Sequence, residues 1–491
     1  MYMSYIAVDL GSTNVKVAVY DEALKMKKWY SEPVSYVRQN GFCEFDADAY
    51  VDNILSMIHQ HVKAGTVSAD NVSRIVLTGQ AESLVVLDDK KEPLMPAISW
   101  MDERSIQECA YIESKFTPEE CYKKTGQPAV LPTWPATKAL WIKRNKPEIH
   151  EKIAYYTLLK DYVVYRLTGK LMSDCSIATF TFYFDIKNKC YWKDMCEVCG
   201  IDENKLPPLA EPCTDAGSLC KASSVASGLT ENTIVNIGTL DHFAGMVGVG
   251  NVEEGIMSLS TGTVMAIATM AHLPLTGRET MALHYGFIKD TYIFLPVSES
   301  GAASLEWYKS NFADDLSYSE MDRLIAEKDL PNEVVFLPYL VGTNAPEYDI
   351  EASGLFYGLR SKHDKMDLAY AIMEGVSMML AKNVERIRES GVSISRIIAT
   401  GGGAKSELWC QMQADATGLT IEIPAEKEAA CLGAAMIGAV SDGSFESYKQ
   451  VTDAVVRMTK SFKPRKNETL LRKRRQFNLL YDAMLSAAKL S

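Results

Sequence analysis

The chain has 491 residues, 47% of them hydrophobic and 23% charged, with 63 Asp and Glu against 51 Lys and Arg for a formal net charge of −12. That length suits two domains better than one, and the balance is that of a folded globular chain, which excludes wholesale disorder. An acidic chain has no global attraction for nucleic acid or an anionic membrane surface, so neither is an expected partner.

The opening residues, MYMSYIAVDLG, have no basic segment followed by an apolar core, and no apolar run anywhere in the sequence is long enough to span a bilayer. Ile6, Val8 and Leu10 share a strand phase, Gly11 to Asn14 form a turn, and Val15, Val17 and Val19 resume the alternation, which predicts a β-hairpin. Tyr50 to Val62 reads as a helix and Arg74 to Thr78 as a strand; Thr137 to Arg144 and Asp161 to Leu167 are helical. Asp185 to Pro212, rich in Cys, Lys and Asp and ending in LPPLAEP, reads as a surface excursion. Five of the eleven cysteines lie between Cys190 and Cys220, including Cys196 and Cys199. Their irregular spacing and the lack of an intervening His favour structural thiols over a metal site, and an odd cysteine count favours reduced thiols, so the cytoplasm is the expected compartment.

A second β-rich opening begins at Thr233, with the short apolar pieces TIVNIG, GIMSLSTGTVMAIA and TYIFLPVS. A long helix from Lys365 to Ser390, a strand from Arg396 to Ala399, a Gly-rich turn and a further helix follow. The hairpin, Gly-turn and helix plan therefore occurs twice, which predicts two similar α/β domains, 1–245 and 246–491. The basic run Arg472 to Arg475 falls on a late helix and reads as a solvated face.

Four Gly-rich turns carry Asp, Ser or Thr beside an apolar strand: DLGSTN (Asp9 to Asn14), GTLDH (Gly238 to His242), STGT (Ser260 to Thr263) and TGGGAKS (Thr400 to Ser406). Glycine lets backbone N–H groups approach phosphate oxygens, and hydroxyls add donors. One such turn is usually only a turn. Four, two of them with an acid at a strand end, suggest two domains facing one another across a nucleotide.

At these residues the sequence resembles the FGGY family of carbohydrate kinases, over essentially its whole length. The phosphate hairpin of that family is similar to Asp9 to Lys16, and its sugar-facing segment to LTGQAESLVVLD (Leu77 to Asp88) and PAISWMDER (Pro96 to Arg104). Its signatures resemble PATKALWIKRN (Pro135 to Asn145) and GLFYGLRSKHDKMDLAYAIME (Gly354 to Glu374), and its adenosine turn TGGGAKSELWCQMQAD (Thr400 to Asp415). Departures lie on the sugar side. Gln-Ala-Glu-Ser stands where xylulose kinases show Gln-Met-His-Gly or Gln-Gln-His-Gly, and Glu82 is shared with glycerol kinases while Ala81 is not. His242 follows the catalytic position, and Asn344 replaces a common Arg. Ala139 is a smaller residue than the first signature usually carries.

The resemblance implies an actin/hexokinase-like fold of two domains and an ATP- and Mg²⁺-dependent kinase for a small sugar, a ketopentose such as xylulose being the leading candidate. A glycerol-like polyol, another ketose, or a catalytically silent nucleotide-binding regulator on the same fold are the alternatives, and a homodimer is an open assembly. From its residues alone Asp241 could cap a helix or act as a base; the resemblance implies the base, which would accept the proton of the sugar hydroxyl. Asp9 could form an Asx turn or hold Mg²⁺ through water; the resemblance favours the metal. Gly11, Ser12, Thr13, Asn14 and Lys16, with Thr261, Gly262 and Thr263, are expected at the phosphates. Gly402, Gly403, Ala404 and Ser406 are expected at the nucleotide, and Gln80, Glu82, Trp100, Asp102, Asp241 and His242 at the sugar.

Overall fold

The computed structural model describes residues 3–272, 281–328, 332–349 and 351–488. Two mixed sheets built to one plan organise the chain. In the first, strand Ser4–Leu10 pairs antiparallel with Asn14–Tyr20, which pairs antiparallel with Met26–Pro33. On its other side Ser4–Leu10 runs parallel to Val72–Gly79, which runs parallel to Ile234–Leu240, with Asp215–Ser218 antiparallel at the edge. In the second sheet Gly255–Thr261, Met265–Ala271 and Tyr292–Phe294 form the antiparallel set. Ile394–Gly401 and Thr420–Pro424 supply the parallel strands, and Met458–Phe462 the antiparallel edge. The duplicated plan read in the sequence is thus a repeated strand order.

Ile234–Leu240, read as the start of the second β-rich stretch though inside the 1–245 half, is a parallel strand of the first sheet. Its apolar run between turns marks it as a buried strand but carries no information on which sheet it joins.

The first sheet is buried on both faces, which is why its strands are so continuously apolar. Ile6, Val8 and Leu10 pack with Val15, Val17 and Val19 under helices Ala47–Lys63 and Leu159–Thr168. The first of these is capped by Asp46, whose carboxylate accepts from the Ala49 N–H. Tyr5, Ala7, Ala18 and Tyr20 face the other way, toward helices Asp241–Val249 and Ala429–Ser441. These two helices cross with their backbones almost touching. A Cβ on Gly433 would lie 1.7 Å from the Ala244 carbonyl oxygen, and one on Gly248 would lie 1.9 Å from that of Ala429. Glycine is required at both positions. Val249 and Ala429 also meet Ile256 and Ile398 of the second sheet, so the helix pair lies between the two sheets. The 245/246 division falls inside the first helix of the pair.

Helix Lys365–Glu389 underlies the second sheet and starts with a capping box between Asp364 and Asp367. Two surface expectations are corrected. Between Asp185 and Pro212, Trp192, Met195, Cys196, Cys199 and Ile201 are buried, and the short helix Lys193–Cys199 packs on Pro135–Asn145. The polar composition comes from the solvent side of that helix, where Lys193 and Asp194 are exposed. Burial pushes the Cys196 thiol up to about 12, which makes it a packing group and not a nucleophile. In the basic run, Lys473 is buried and ion-paired with Glu374, because helix Glu468–Ala488 turns that side inward. Among the described residues no helix is long and apolar enough to cross a membrane.

Candidate active site

The C-terminal ends of the parallel strands from both sheets line three cavities in one cleft, where open α/β sheets bind their ligands. The middle cavity, about 370 Å³, is lined by Asp9, Asp241, His242, Ser260, Thr400 and Glu428 among others. Asp9 is the next-to-last residue of its strand, beside the turn Gly11 to Asn14, where a Cβ on Gly11 would lie 2.3 Å from the Asn14 carbonyl oxygen. The turn is anchored from behind: Tyr50 Oη donates to the Gly11 carbonyl at 3.0 Å, and Gln80 Nε2 does so at 3.3 Å. Burial, then the Asp241 charge, raises the Asp9 carboxyl from 3.8 to about 7, with Lys16 opposing and Glu428 adding to the rise. Lys16 sits opposite Asp9 in the hairpin register and is ion-paired with Glu428 at the start of helix Ala429–Ser441. Asp9, Asp241 and Glu428 line this cavity, but among the described residues no three acids, His or Cys close into a metal-binding cluster, so a hard cation here would be held largely through water, and the elevated Asp9 carboxyl is the group it would relieve.

Asp241 is the first residue of its helix, and its Oδ1 accepts from the adjacent His242 N–H at 2.6 Å. It lines the middle cavity and also a second one of about 330 Å³. The strand that delivers it is braced from behind. Lys160 Nζ donates to the Ile237 carbonyl at 2.9 Å and is ion-paired with buried Asp174, and Ser176 and Thr239 share a hydrogen bond of 2.8 Å.

The second cavity gathers Ser12, Gln80, Glu82, Trp100, Asp241 and His242 from the first half of the chain, with Val264, Leu295 and Glu299 from the second. Glu82 has a φ of +68°, a left-handed conformation that non-glycine residues adopt at a cost of about 1–3 kcal/mol and that concentrates at functional sites. Buried Lys138 donates to its carbonyl at 2.9 Å. Burial raises the Glu82 carboxyl above its ordinary 4.5, and the same desolvation lowers the Lys138 ammonium. Gln80 lines the cavity, but its amide is also spent on Gly11 and on Ser83, whose hydroxyl donates to Oε1 at 2.7 Å. Asp102 is not brought to the cavity. Its carboxylate is buried against the Arg104 guanidinium, at 2.7 Å, and the Cys43 N–H. The strand, turn and return strand expected between Gln80 and Asp102 exist as Leu84–Leu87 and Ala97–Ile98, yet Asp102 lies beyond the return strand in a turn that points inward.

The third cavity, about 460 Å³, lies wholly in the second half and is lined by Gly262, Thr263, Gly402, Gly403 and Ser406, with Leu305, Tyr318, Met373 and Trp409 as apolar walls. Thr261 and Ala404 are not among its lining residues. Thr261 is buried where Gly403 packs against it, a Cβ there falling 2.8 Å from the Thr261 Cβ, and Ala404 packs toward the core. The Ser406 hydroxyl caps helix Glu407–Thr417 by accepting from the Trp409 N–H. A pocket of this size with apolar walls and glycine among its lining suits a heteroaromatic base.

Three site residues escaped the sequence reading. Glu428 lies in AEKEAACLGAAM, where nothing separates a cleft acid from a helix-start acid. Lys138 was visible as a lone Lys among Ala136, Ala139, Leu140 and Ile142 on a buried helix. Glu299 followed the same rule as the four turns, an acid with Ser and Gly after a short apolar strand, and could have been found by it.

Residues 4–248 match the N-terminal domain, and residues 257–441 the C-terminal domain, of the FGGY family of carbohydrate kinases. The chain is 29% identical over 467 residues to a xylulose kinase of Bacillus subtilis, covering 94% of this chain and 92% of that one. To the xylulose kinase of Escherichia coli it is 30% identical over 428 residues, covering 85% and 86%. The crystal structure of a xylulose kinase from Rhodospirillum rubrum superposes with a TM-score of 0.93 at 24% identity, covering 99% of this chain and 100% of that one, which bears on fold. The resemblance carried by the glycine turns and signatures therefore holds: the chain belongs to the FGGY family of carbohydrate kinases, ATP-using phosphotransferases with an alcohol acceptor and the two-domain actin/hexokinase-like fold.

Proposed function

We propose that the chain transfers the γ-phosphoryl group of ATP to a hydroxyl of a small neutral sugar, with a ketopentose such as xylulose the leading substrate, and that Asp241 is its general base. The observation that carries this is the place of Asp241: among the described residues it is the one acid that lines both the acid-ringed middle cavity and the sugar-sized one. A hydroxyl bound in the second cavity would give its proton to the Asp241 carboxylate as its oxygen bonds to phosphorus, and ADP would leave toward the third cavity. The backbone of Gly11 to Asn14 and of Gly262 and Thr263 would hold the phosphates from the two halves. Mg²⁺ would be held by Asp9 through water, where it would neutralise charge on the transferring group. Because the grip comes from both sheets, closure about the helix pair Asp241–Val249 and Ala429–Ser441 would exclude water from the γ-phosphate.

The choice of xylulose is supported by the xylulose kinases the chain resembles over most of its length. The rival reading of a silent nucleotide-binding regulator requires a missing acid, yet Asp9, Asp241 and Glu428 all face one cavity. An ADP-release screen over pentuloses, hexuloses, aldoses and polyols tests the reading: release with D-xylulose or a close ketose supports it, and nucleotide binding without sugar-dependent release would favour the regulator.

A further inference from the structure

Neither half of the sugar cavity is basic. Glu82 and Asp241 enter from the first half and Glu299 from the second, while Lys and Arg are absent from the described lining. Lys138, which faces Glu82 from behind the cavity, is buried and donates its ammonium to the Glu82 carbonyl. Glu299 follows strand Val297–Ser298, which pairs with Met265 and Ala266 of the second sheet. Its Oε1 accepts from Asn344 Nδ2 at 2.7 Å, and among the described residues no other hydrogen bond or ion pair reaches that carboxylate. Oε2 is therefore left as an acceptor in a half-buried position, where burial alone raises the carboxyl above 4.5. A half-desolvated acceptor gains from a hydroxyl donor and penalises an anion. Asn344 matters because of what it is. An amide donates one hydrogen bond to Glu299 and brings no charge, whereas an Arg at that position would form an ion pair with it.

We propose that Glu299, oriented by Asn344, is a specificity-determining residue that binds sugar hydroxyls from the second half of the chain, so that the site takes neutral polyhydroxy substrates and rejects sugar acids. This rests on the reading of the cavity as the acceptor site of a kinase. A sugar with a hydroxyl on Glu82 and another on Glu299 is held by both halves at once, which ties recognition of the right substrate to closure of the cleft. Glu299 is a substrate-contacting residue in this account, and Asn344 a positioning residue.

The test uses the full chain and ADP release with D-xylulose, D-ribulose, glycerol and D-gluconate, for wild type, Glu299→Gln, Glu299→Ala and Asn344→Ala. A neutral sugar should be turned over with kcat/KM at least about a hundredfold above D-gluconate, as expected when a site is built to pair hydroxyls and unpaired buried groups reject the alternative. Glu299→Gln should raise the KM for the best neutral sugar about tenfold, with a smaller change in kcat and the KM for ATP unchanged. Asn344→Ala should move the sugar KM in the same direction by less. Thermal protection by the sugar, read without turnover, separates a folded variant from an unfolded one. An unchanged sugar KM in folded Glu299→Gln, or turnover of D-gluconate equal to that of the best neutral sugar, would overturn the inference while leaving the kinase reading intact. No sugar-dependent ADP release from any compound would overturn both.

Discussion

Replacing Asp9 by Asn should make the free protein more stable at pH 8 and have much less effect at pH 5. Asp9 is raised from 3.8 to about 7 in the folded state, so the unfolded chain ionises first and the folded chain later. Stability from this group is full below its unfolded value and is lost as pH rises through about 7, because a carboxylate must then be charged beside Asp241 and Glu428 in a desolvated cavity. At roughly 1.4 kcal/mol for each tenfold change in acidity, the whole rise is worth about 4 kcal/mol, of which about 2–3 accrues between pH 5 and pH 8. The side chain keeps an edge toward the cleft, and solvent there reduces the expected difference to about 2 kcal/mol. An amide of the same shape has no such charge to bury, and no side-chain hydrogen bond of Asp9 is lost with it among the described residues. Thermal unfolding of wild type and Asp9→Asn at the two pH values reads this directly; in a unit of 150–250 residues 1 kcal/mol moves the Tm by about 2–4 °C. The Tm gain at pH 8 should exceed that at pH 5 by about 4–8 °C. Adding Mg²⁺ and ADP should stabilise wild type more than the variant, since the cation relieves the charge that Asn lacks. An equal Tm difference at both pH values would show that Asp9 stores no electrostatic strain in the free protein.

Glu82→Gln should lower kcat/KM for the best sugar by about tenfold or more and spare the KM for ATP, because Glu82 lines the second cavity and not the third; steady-state kinetics in both substrates check it. Gly433→Ala should destabilise by about 1–3 kcal/mol or abolish soluble expression, since its Cβ would meet the Ala244 carbonyl oxygen at 1.7 Å, whereas Gly443→Ala, with nothing within 4 Å of its Cβ but a φ of +80°, should lose only about 1 kcal/mol; denaturant melts separate the two. X-ray scattering with sugar and a non-hydrolysable ATP analogue should give a smaller radius of gyration than the free protein, and identical curves would rule out closure about the helix pair.

The fold was legible where period and punctuation agree. The hairpin at Gly11, helices Ala47–Lys63 and Lys365–Glu389, and strand Ile394–Gly401 all carry an unbroken apolar phase with caps or glycine at their ends. Sheet membership of Ile234–Leu240 was not, because parallel pairing is set by tertiary contact and leaves no trace in the strand itself. The excursion at Asp185 misled for a related reason: a short amphipathic helix shows its Lys and Asp to a composition count and hides Met195, Cys196 and Cys199. Within the cleft, the glycine turns marked part of the cavity lining, Gly262, Gly402 and Gly403, because glycine is visible in the sequence. Side-chain direction was not visible. Asp102 turns to Arg104, Thr261 packs under Gly403, and Glu299 and Glu428 arrive from segments far apart in the chain.

The central claim is that Asp241 accepts the proton of a sugar hydroxyl as it takes the γ-phosphoryl group, and single-turnover transfer from γ-labelled ATP to D-xylulose in Asp241→Asn tests it most directly. The account predicts transfer slowed by about 10²–10⁴ with nucleotide binding retained, as loss of a general base does. Transfer at the wild-type rate in the folded variant would contradict it.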